Sequence, residues 1–245
     1  MLSRSAYLLL GFIVIAVAWE GAIAAFRIPP YVLPGLATIA HAIWTDLGML
    51  LQALRATLFV AGSGYAIGAS VGIALAVAMV LVPALDRAFM PIVVAVNSVP
   101  VVAYAPLILV WLGTGPASQI MMVTLAASFT VFINAMQGLR SVDNAAVDLL
   151  RSFGAGALRT AWMLRLPAAL PAIVNGMRVA AVRSMLIAIV AEMLGASEGL
   201  GRVIYESTQQ IDFLRVWSAV TVASVASMAI YGLIVWADRR FVWWK

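Results

Sequence analysis

Ser141-Val142-Asp143-Asn144-Ala145-Ala146-Val147-Asp148-Leu149-Leu150-Arg151-Ser152-Phe153-Gly154-Ala155 lies in the most charged segment of the chain, 140–168, between two long apolar stretches. Asp143 or Asn144 can cap a short helix, because a short polar side chain accepts a backbone N–H that the first turn leaves unpaired. Gly154 can end it, because glycine enters the left-handed region at little cost. Leu149, Leu150 and Phe153 then form a small apolar patch flanked by Asp148 and Arg151. Such a helix suits docking in a groove of another protein. Beyond it, Ala161-Trp162-Met163-Leu164-Arg165-Leu166-Pro167 and then Pro171 are expected to turn the chain back into an apolar environment.

That environment is a bilayer. Of the 245 residues, 64% are hydrophobic and 10% charged, and the mean hydropathy is +1.06. Soluble domains carry about 45–50% apolar and about 25% charged residues. The composition excludes a soluble enzyme, a nucleic-acid-binding domain and a disordered chain. A membrane β-barrel is excluded as well, since its strands alternate lipid-facing and lumen-facing residues. The net charge of +5 fits arginines gathered on cytoplasmic loops better than a nucleic-acid partner. There is no Cys and a single His, His41, so neither thiolate nor multi-histidine metal sites are expected. No catalytic set is expected either. The only Lys is Lys245, so no glycine-rich loop is followed by the lysine that reaches bound phosphates. Energy from ATP would have to come through another chain.

A bilayer core of about 30 Å needs about 20 apolar helical residues, with every backbone polar group paired internally. Six stretches qualify: 6–26, 51–82, 88–112, 117–139, 169–194 and 216–236. The first runs past the length of a signal-peptide core and is read as a retained span. With the N-terminus inside, the inner segments hold Arg4, Arg87, Arg140, Arg151, Arg159, Arg165, Arg239, Arg240 and Lys245, and the outer ones hold Arg27, Arg55, Arg202 and Arg215. This imbalance puts both termini in the cytoplasm. Segment 27–50 is then outside. Its prolines, Pro29, Pro30 and Pro34, delay any helix, after which Leu36, Ile39, Ala40, Ile43 and Leu47 share one face. The tail 239–245, with Trp243 and Trp244, reads as a headgroup anchor. Without repeat or linker, residues 1–245 form one transmembrane domain, with 140–168 a cytoplasmic loop inside it.

Three features bear on mechanism. Gly64, Gly68 and Gly72 lie on one helix face and invite close packing of a second helix. Pro91, Pro100 and Pro106 interrupt the third stretch, and Asn97 and Ser98 set polar groups beside Pro100 at mid-membrane depth. Ionisable groups inside the membrane are costly and face the bundle interior or a pathway; here they are Glu20, Arg178, Arg183 and Glu192. Asn97, Ser98, Pro100, Asn134, Arg178 and Glu192 are the candidate pathway residues. Arg178 and Glu192 share a stripe but stand about 21 Å apart, too far to pair. Glu20 beside a broken helix also admits a self-powered secondary transporter. Gly62-Ser63-Gly64 hints at a nucleophile, but a serine nucleophile needs a base, and His41 is in the outer loop.

Val147-Asp148-Leu149-Leu150-Arg151-Ser152-Phe153-Gly154-Ala155, followed by Leu166-Pro167-Ala168-Ala169-Leu170-Pro171, resembles the "EAA…G…LP" signature of ABC-importer permeases. Trp19-Glu20, Val99-Pro100, Ala105-Pro106-Leu107, Trp111-Leu112-Gly113-Thr114-Gly115, Gly138-Leu139-Arg140-Ser141-Val142-Asp143, Gly176-Met177-Arg178, Ala191-Glu192-Met193-Leu194-Gly195-Ala196 and Gly199-Leu200-Gly201 are similar to the nitrate/sulfonate/taurine-type permeases. Asp148-Leu149-Leu150 departs from the acidic-Ala-Ala core, and Ser184-Met185 stands where that subfamily shows Ala-Trp. The resemblance implies an all-α, six-helix, type I (MetI-like) importer permease of the bacterial inner membrane. It implies a coupling helix comprising Asp148, Leu149, Leu150, Arg151, Ser152, Phe153, Gly154 and Ala155. The implied partners are a cytoplasmic ATPase that holds ATP and magnesium, an extracytoplasmic binding protein, and a second permease copy, most simply identical. The implied substrate is a small anion such as a sulfonate, nitrate or carboxylate, with a vitamin precursor or nitrogenous heterocycle as the alternative.

Overall fold

The computed structural model describes residues 4–241, and the side chains of residues 10–236. Arg4 and the 239–245 anchor lie outside the described side chains. The described residues form helices and connecting turns without a strand.

The bundle is organised by α3 (Leu47–Leu81) and α6 (Pro116–Arg140). A Cβ placed on Gly64 would stand 2.5 Å from the Cβ of Val123, one on Gly68 would stand 2.7 Å from the Thr124 carbonyl oxygen, and one on Gly72 would strike the Ser128 carbonyl. The three glycines therefore let the two backbones touch, as their spacing predicts. Ala53, Thr57, Ala61, Ala76 and Met79 extend the same buried face toward both ends. Contact positions rise together in the two helices, so α3 and α6 run parallel.

Parallel neighbours cannot be joined by a short turn at one end. The connection has to travel the length of the pair. It does so as α4 (Pro83–Asn97), a 3-10 turn at Val101–Tyr104, and α5 (Ala105–Leu112). The stretch 88–112 is thus not one continuous helix but two pieces bent by 90°. Pro100 alone makes the break. Pro91 is absorbed inside α4, and Pro106 sits in the first turn of α5, where a missing N–H costs nothing.

After α6 come α7 (Asn144–Ser152), α8 (Ala157–Thr160), a π-turn at Ala161–Arg165 and α9 (Leu166–Met193). The expected turn at Pro167 and Pro171 is absent. A helical run of 37 residues, Ala157–Met193, passes through both prolines, and the chain reverses earlier, at Gly154. The π-turn widens the helix just ahead of Pro167, which makes room for its ring. Helix α9 runs antiparallel to α6. Asn134 faces Gly176, and Gly138 faces Ala169 and Ala172. At the other end α10 (Leu200–Gln209), which the sequence did not announce, precedes α11 (Phe213–Phe241). Ala219 and Ala223 of α11 join Val123, Met185 and Ala188 in the core.

Helix α1 (Arg4–Phe26) is tied to the bundle where it meets the loop 27–50. Trp19 packs edge-on against Trp217 at 4.9 Å, and its indole N–H donates to the Pro34 carbonyl at 3.1 Å. Glu20 accepts the Leu36 N–H at 2.7 Å, which caps α2 (Leu36–Thr45), the short helix expected in this loop. By length and composition, α3, α6, Ala157–Met193 and Phe213–Trp236 can each cross a membrane, and the bent α4–α5 pair passes the same test only when its two pieces are taken together, as a broken span or a re-entrant loop. The described part of α1, Leu10–Phe26, falls short of that length.

The seam yields a direct test. Gly72→Ala should lower the stability of the purified protein by about 1–3 kcal/mol, the cost of overpacking a filled site. Gly62→Ala, which has nothing within 4 Å, should be neutral or slightly stabilising. Thermal or denaturant melts of the two variants side by side check this.

Candidate functional site

Helix α7 is built as its sequence suggests. The Asp143 carboxylate caps it by accepting the Ala145 N–H at 3.0 Å. At its end Gly154 takes φ +78°, its N–H donates to Arg151 O at 2.9 Å, and the Ala155 N–H donates to Leu150 O at 3.0 Å. This pair of bonds is a Schellman ending, which satisfies carbonyls that the last turn leaves open. Val147 is buried and Leu150 half-buried, and they anchor the helix. Leu149 and Phe153 point out, 58% and 77% exposed. Asp148 and Arg151 pair at 3.3 Å across one turn, both largely exposed, so the contact adds little stability. Arg140, at the start of the loop, is bound to Asp86 of α4. The result is a short helix held at both ends that presents apolar side chains flanked by charge.

At the α4–α5 break, Ser98 donates to the Val94 carbonyl at 2.9 Å, and the Tyr104 hydroxyl donates to the Val96 carbonyl at 3.1 Å. Both bonds fall on carbonyls ahead of the kink that also accept a backbone N–H, from Ser98 to Val94 at 3.0 Å and from Val99 to Val96 at 3.4 Å. Asn97 lines a cavity of about 190 Å³ with Tyr104, Ser128, Phe129 and Phe132, and no charged residue lines it. Asn134 is placed differently. It packs on Gly176, and its amide donates to the Thr130 carbonyl at 2.9 Å, so it belongs to the α6–α9 contact. Arg178 is half-buried on α9.

Glu192, at the far end of α9, is 2% exposed. Its Oε2 accepts the Thr57 hydroxyl at 2.9 Å and the Gly201 N–H at 2.8 Å, and the Leu200 N–H donates to Thr57 Oγ1 at 2.9 Å. The buried Oε1 has no partner among the described residues. Leaving a buried polar atom unpaired costs about 1–3 kcal/mol, and more when it is charged. Beside this node lies a cavity of about 520 Å³, whose lining includes Gln52, Arg55, Gln119, Ser197 and Glu198. Thr57 was not singled out from sequence. A signal was there: it stands seven residues before Gly64, two turns along the same face.

The structure thus places Asp148 to Ser152 on one presented helix with Phe153 to Ala155 forming its end, joins Asn97, Ser98 and Pro100 at the break, and seats Gly64, Gly68 and Gly72 against α6. It leaves Glu192 and Arg178 at separate levels of α9.

The described residues form a bundle of membrane-length helices that presents a short amphipathic helix at one end, the architecture of a helical membrane protein. The chain belongs to the family of binding-protein-dependent transport system inner membrane components, whose model matches residues 68–243. A probable ABC transporter permease protein of Haemophilus influenzae is 30% identical over 94% of this chain and 94% of its own length. The formylaminopyrimidine transport permease protein of Halalkalibacterium halodurans is 29% identical over 96% of this chain and 94% of that protein. The taurine transport system permease protein of Escherichia coli is 30% identical over 84% and 74%. Among solved structures, a chain of the inward-facing MetNI methionine ABC transporter matches with a TM-score of 0.61 at 24% identity, covering 82% of this chain and 95% of that one. A chain of an amino acid ABC transporter crystallised with histidines matches with a TM-score of 0.67 at 15% identity, covering 82% and 97%. These two likenesses show the fold.

The ending of α7 can be tested locally. Gly154→Asn should leave exchange of the Gly154-site and Ala155 amides within about twofold of the parent, since asparagine tolerates the left-handed region. Gly154→Val should speed it by about 5–30-fold, as expected for about 1–2 kcal/mol of backbone strain. Hydrogen–deuterium exchange across 144–156 reads both.

Proposed function

We propose that this chain is the permease subunit of an ATP-driven importer, and that α7 is its coupling helix. The observation that carries this reading is α7 itself, a helix capped and terminated on its own yet left with Leu149 and Phe153 in solvent. Exposed apolar side chains on a rigid, anchored helix favour a protein groove as their destination. The partner is a cytoplasmic ATPase that carries ATP and magnesium. Loop 140–168 and both termini are cytoplasmic, α1 is a sixth span, and the membrane is the bacterial inner membrane. Two copies of the permease enclose the pathway, and an extracytoplasmic binding protein delivers the substrate near α10. Closure of the ATPase pair draws the two α7 helices together and shifts the population toward the outward-open state, which it binds better.

The leading substrate is a small organic or inorganic anion. Arg55 in the outer cavity and the likeness to a taurine permease support it. A nitrogenous heterocycle is the second reading. It is favoured by the uncharged, phenylalanine-walled cavity at the α4–α5 break, and by full-length likeness to a formylaminopyrimidine permease.

Leu149→Glu and Phe153→Glu should each reduce co-purification of the ATPase at least tenfold while the permease still reaches the membrane, and unchanged association would remove α7 from the coupling role. Uptake of radiolabelled taurine and of formylaminopyrimidine, with and without ATP, separates the two substrate readings. Uptake driven by an ion gradient alone would contradict an ATP-driven importer.

A further inference from the structure

Glu192 is the one described acidic side chain that the fold buries almost completely. It is buried where three elements meet: Thr57 from α3, Glu192 from α9, and the first N–H groups of α10 at Leu200 and Gly201. The socket is fitted closely around it. A Cβ on Gly199, where φ is +113°, would strike the Glu192 carboxyl, and one on Gly201 would strike the Ile189 carbonyl. Gly195, at φ +153°, and Gly199 bracket residues 196–198 as two permissive swivel points. This short segment also lies between two cavities. One, of about 520 Å³, is lined by Ser197 and Glu198, and the other, of about 380 Å³, by Gly195 and Ala196. Arg202 donates to the Ala196 carbonyl at 2.8 Å and Leu200 is fully buried, so residues 196–198 and the start of α10 hold together as one unit, which the carboxylate ties to α9 through the Gly201 N–H beside the backbone bond from the Ala196 N–H to Glu192 O. Helix α9 is the last part of the 37-residue run Ala157–Met193, whose other end adjoins α7.

We propose that Glu192 is a positioning residue that latches α10 to the outer end of α9, so that movement of α7 is delivered to the outer segment 194–209 as one rigid displacement. This rests on α7 being the ATPase contact. The carboxylate acts through the Thr57 hydroxyl and the Gly201 N–H, and it need not touch substrate. What it contributes is register between two helices, in exchange for an unpaired buried oxygen.

The chain has no cysteine, so Ser197→Cys creates a unique reporter on an exposed residue of the segment. The complex assembled with its ATPase is labelled with a soluble maleimide, once without nucleotide and once trapped with ADP and vanadate. The two rates should differ at least fivefold in the parent background. They should differ as much with Glu192→Gln, which keeps the carbonyl acceptor, and with Thr57→Ser, which keeps the hydroxyl. They should fall within twofold of each other with Glu192→Ala and with Thr57→Val, while those complexes still hydrolyse ATP. Should Glu192→Ala fail to assemble, Thr57→Val, which removes a single hydroxyl, decides. A nucleotide-dependent rate that survives loss of the latch would overturn the proposal, as would equal rates in a parent complex that hydrolyses ATP. A parent chain that binds no ATPase would fail at α7 instead, and both readings would fall together.

Discussion

The close approach of α3 and α6 over Gly64, Gly68 and Gly72 is the constraint from which the rest of the architecture follows. In a bilayer the lipid tails are as apolar as leucine, so helices gain little by merely hiding from solvent. They associate through backbone proximity and packing. Three glycines on one face permit that proximity, and the partner positions rise with the glycine numbers, so the pair runs parallel. Parallel α3 and α6 force the intervening chain to cross from end to end, and Pro100 breaks that crossing midway. Antiparallel α9 then returns from the end that carries α7 to the end that carries α10. The two surface helices on which the functional reading rests are placed at opposite ends by this one seam.

A second regularity concerns how helix starts are satisfied. Both α2 and α10 follow a glycine that offers no side-chain cap. In each case a glutamate from the end of a long helix supplies the acceptor instead: Glu20 for Leu36, and Glu192 for Gly201. A carboxylate at a helix start complements the partial positive charge of the unpaired N–H groups. Glu20, which from sequence alone also fitted an ion-coupling role, therefore has a local task in holding the loop 27–50, together with Trp19 on Pro34 and Trp217.

These long-range caps mark where the sequence stops being legible. Helix α7 was readable because its signals are local: Asp143 before it, Gly154 after it, and an apolar patch within two turns. The glycine seam was readable because one spacing repeats. Pro100 was not separable from Pro91 and Pro106, since whether a proline breaks a helix depends on what fills the space around it. Pro167 and Pro171 look like breakers, and the π-turn at Ala161–Arg165 is invisible without coordinates. Helix α10 escaped notice because it is short and polar and its start is capped from nine residues away in sequence by a residue on another helix. Thr57 carried a faint signal, its two-turn offset from Gly64, but nothing in the sequence said that its partner is Glu192.

The central claim is that α7 and α10 stand on opposite faces of the membrane, which the parallel seam and the continuous α9 jointly require. In this cysteine-free chain, single cysteines at Ser152 and Gln209, both exposed, can be probed with a membrane-impermeant maleimide in intact cells and in inverted vesicles. The account predicts that Gln209→Cys is labelled only from outside and Ser152→Cys only in inverted vesicles. Labelling of both positions from the same face would contradict it.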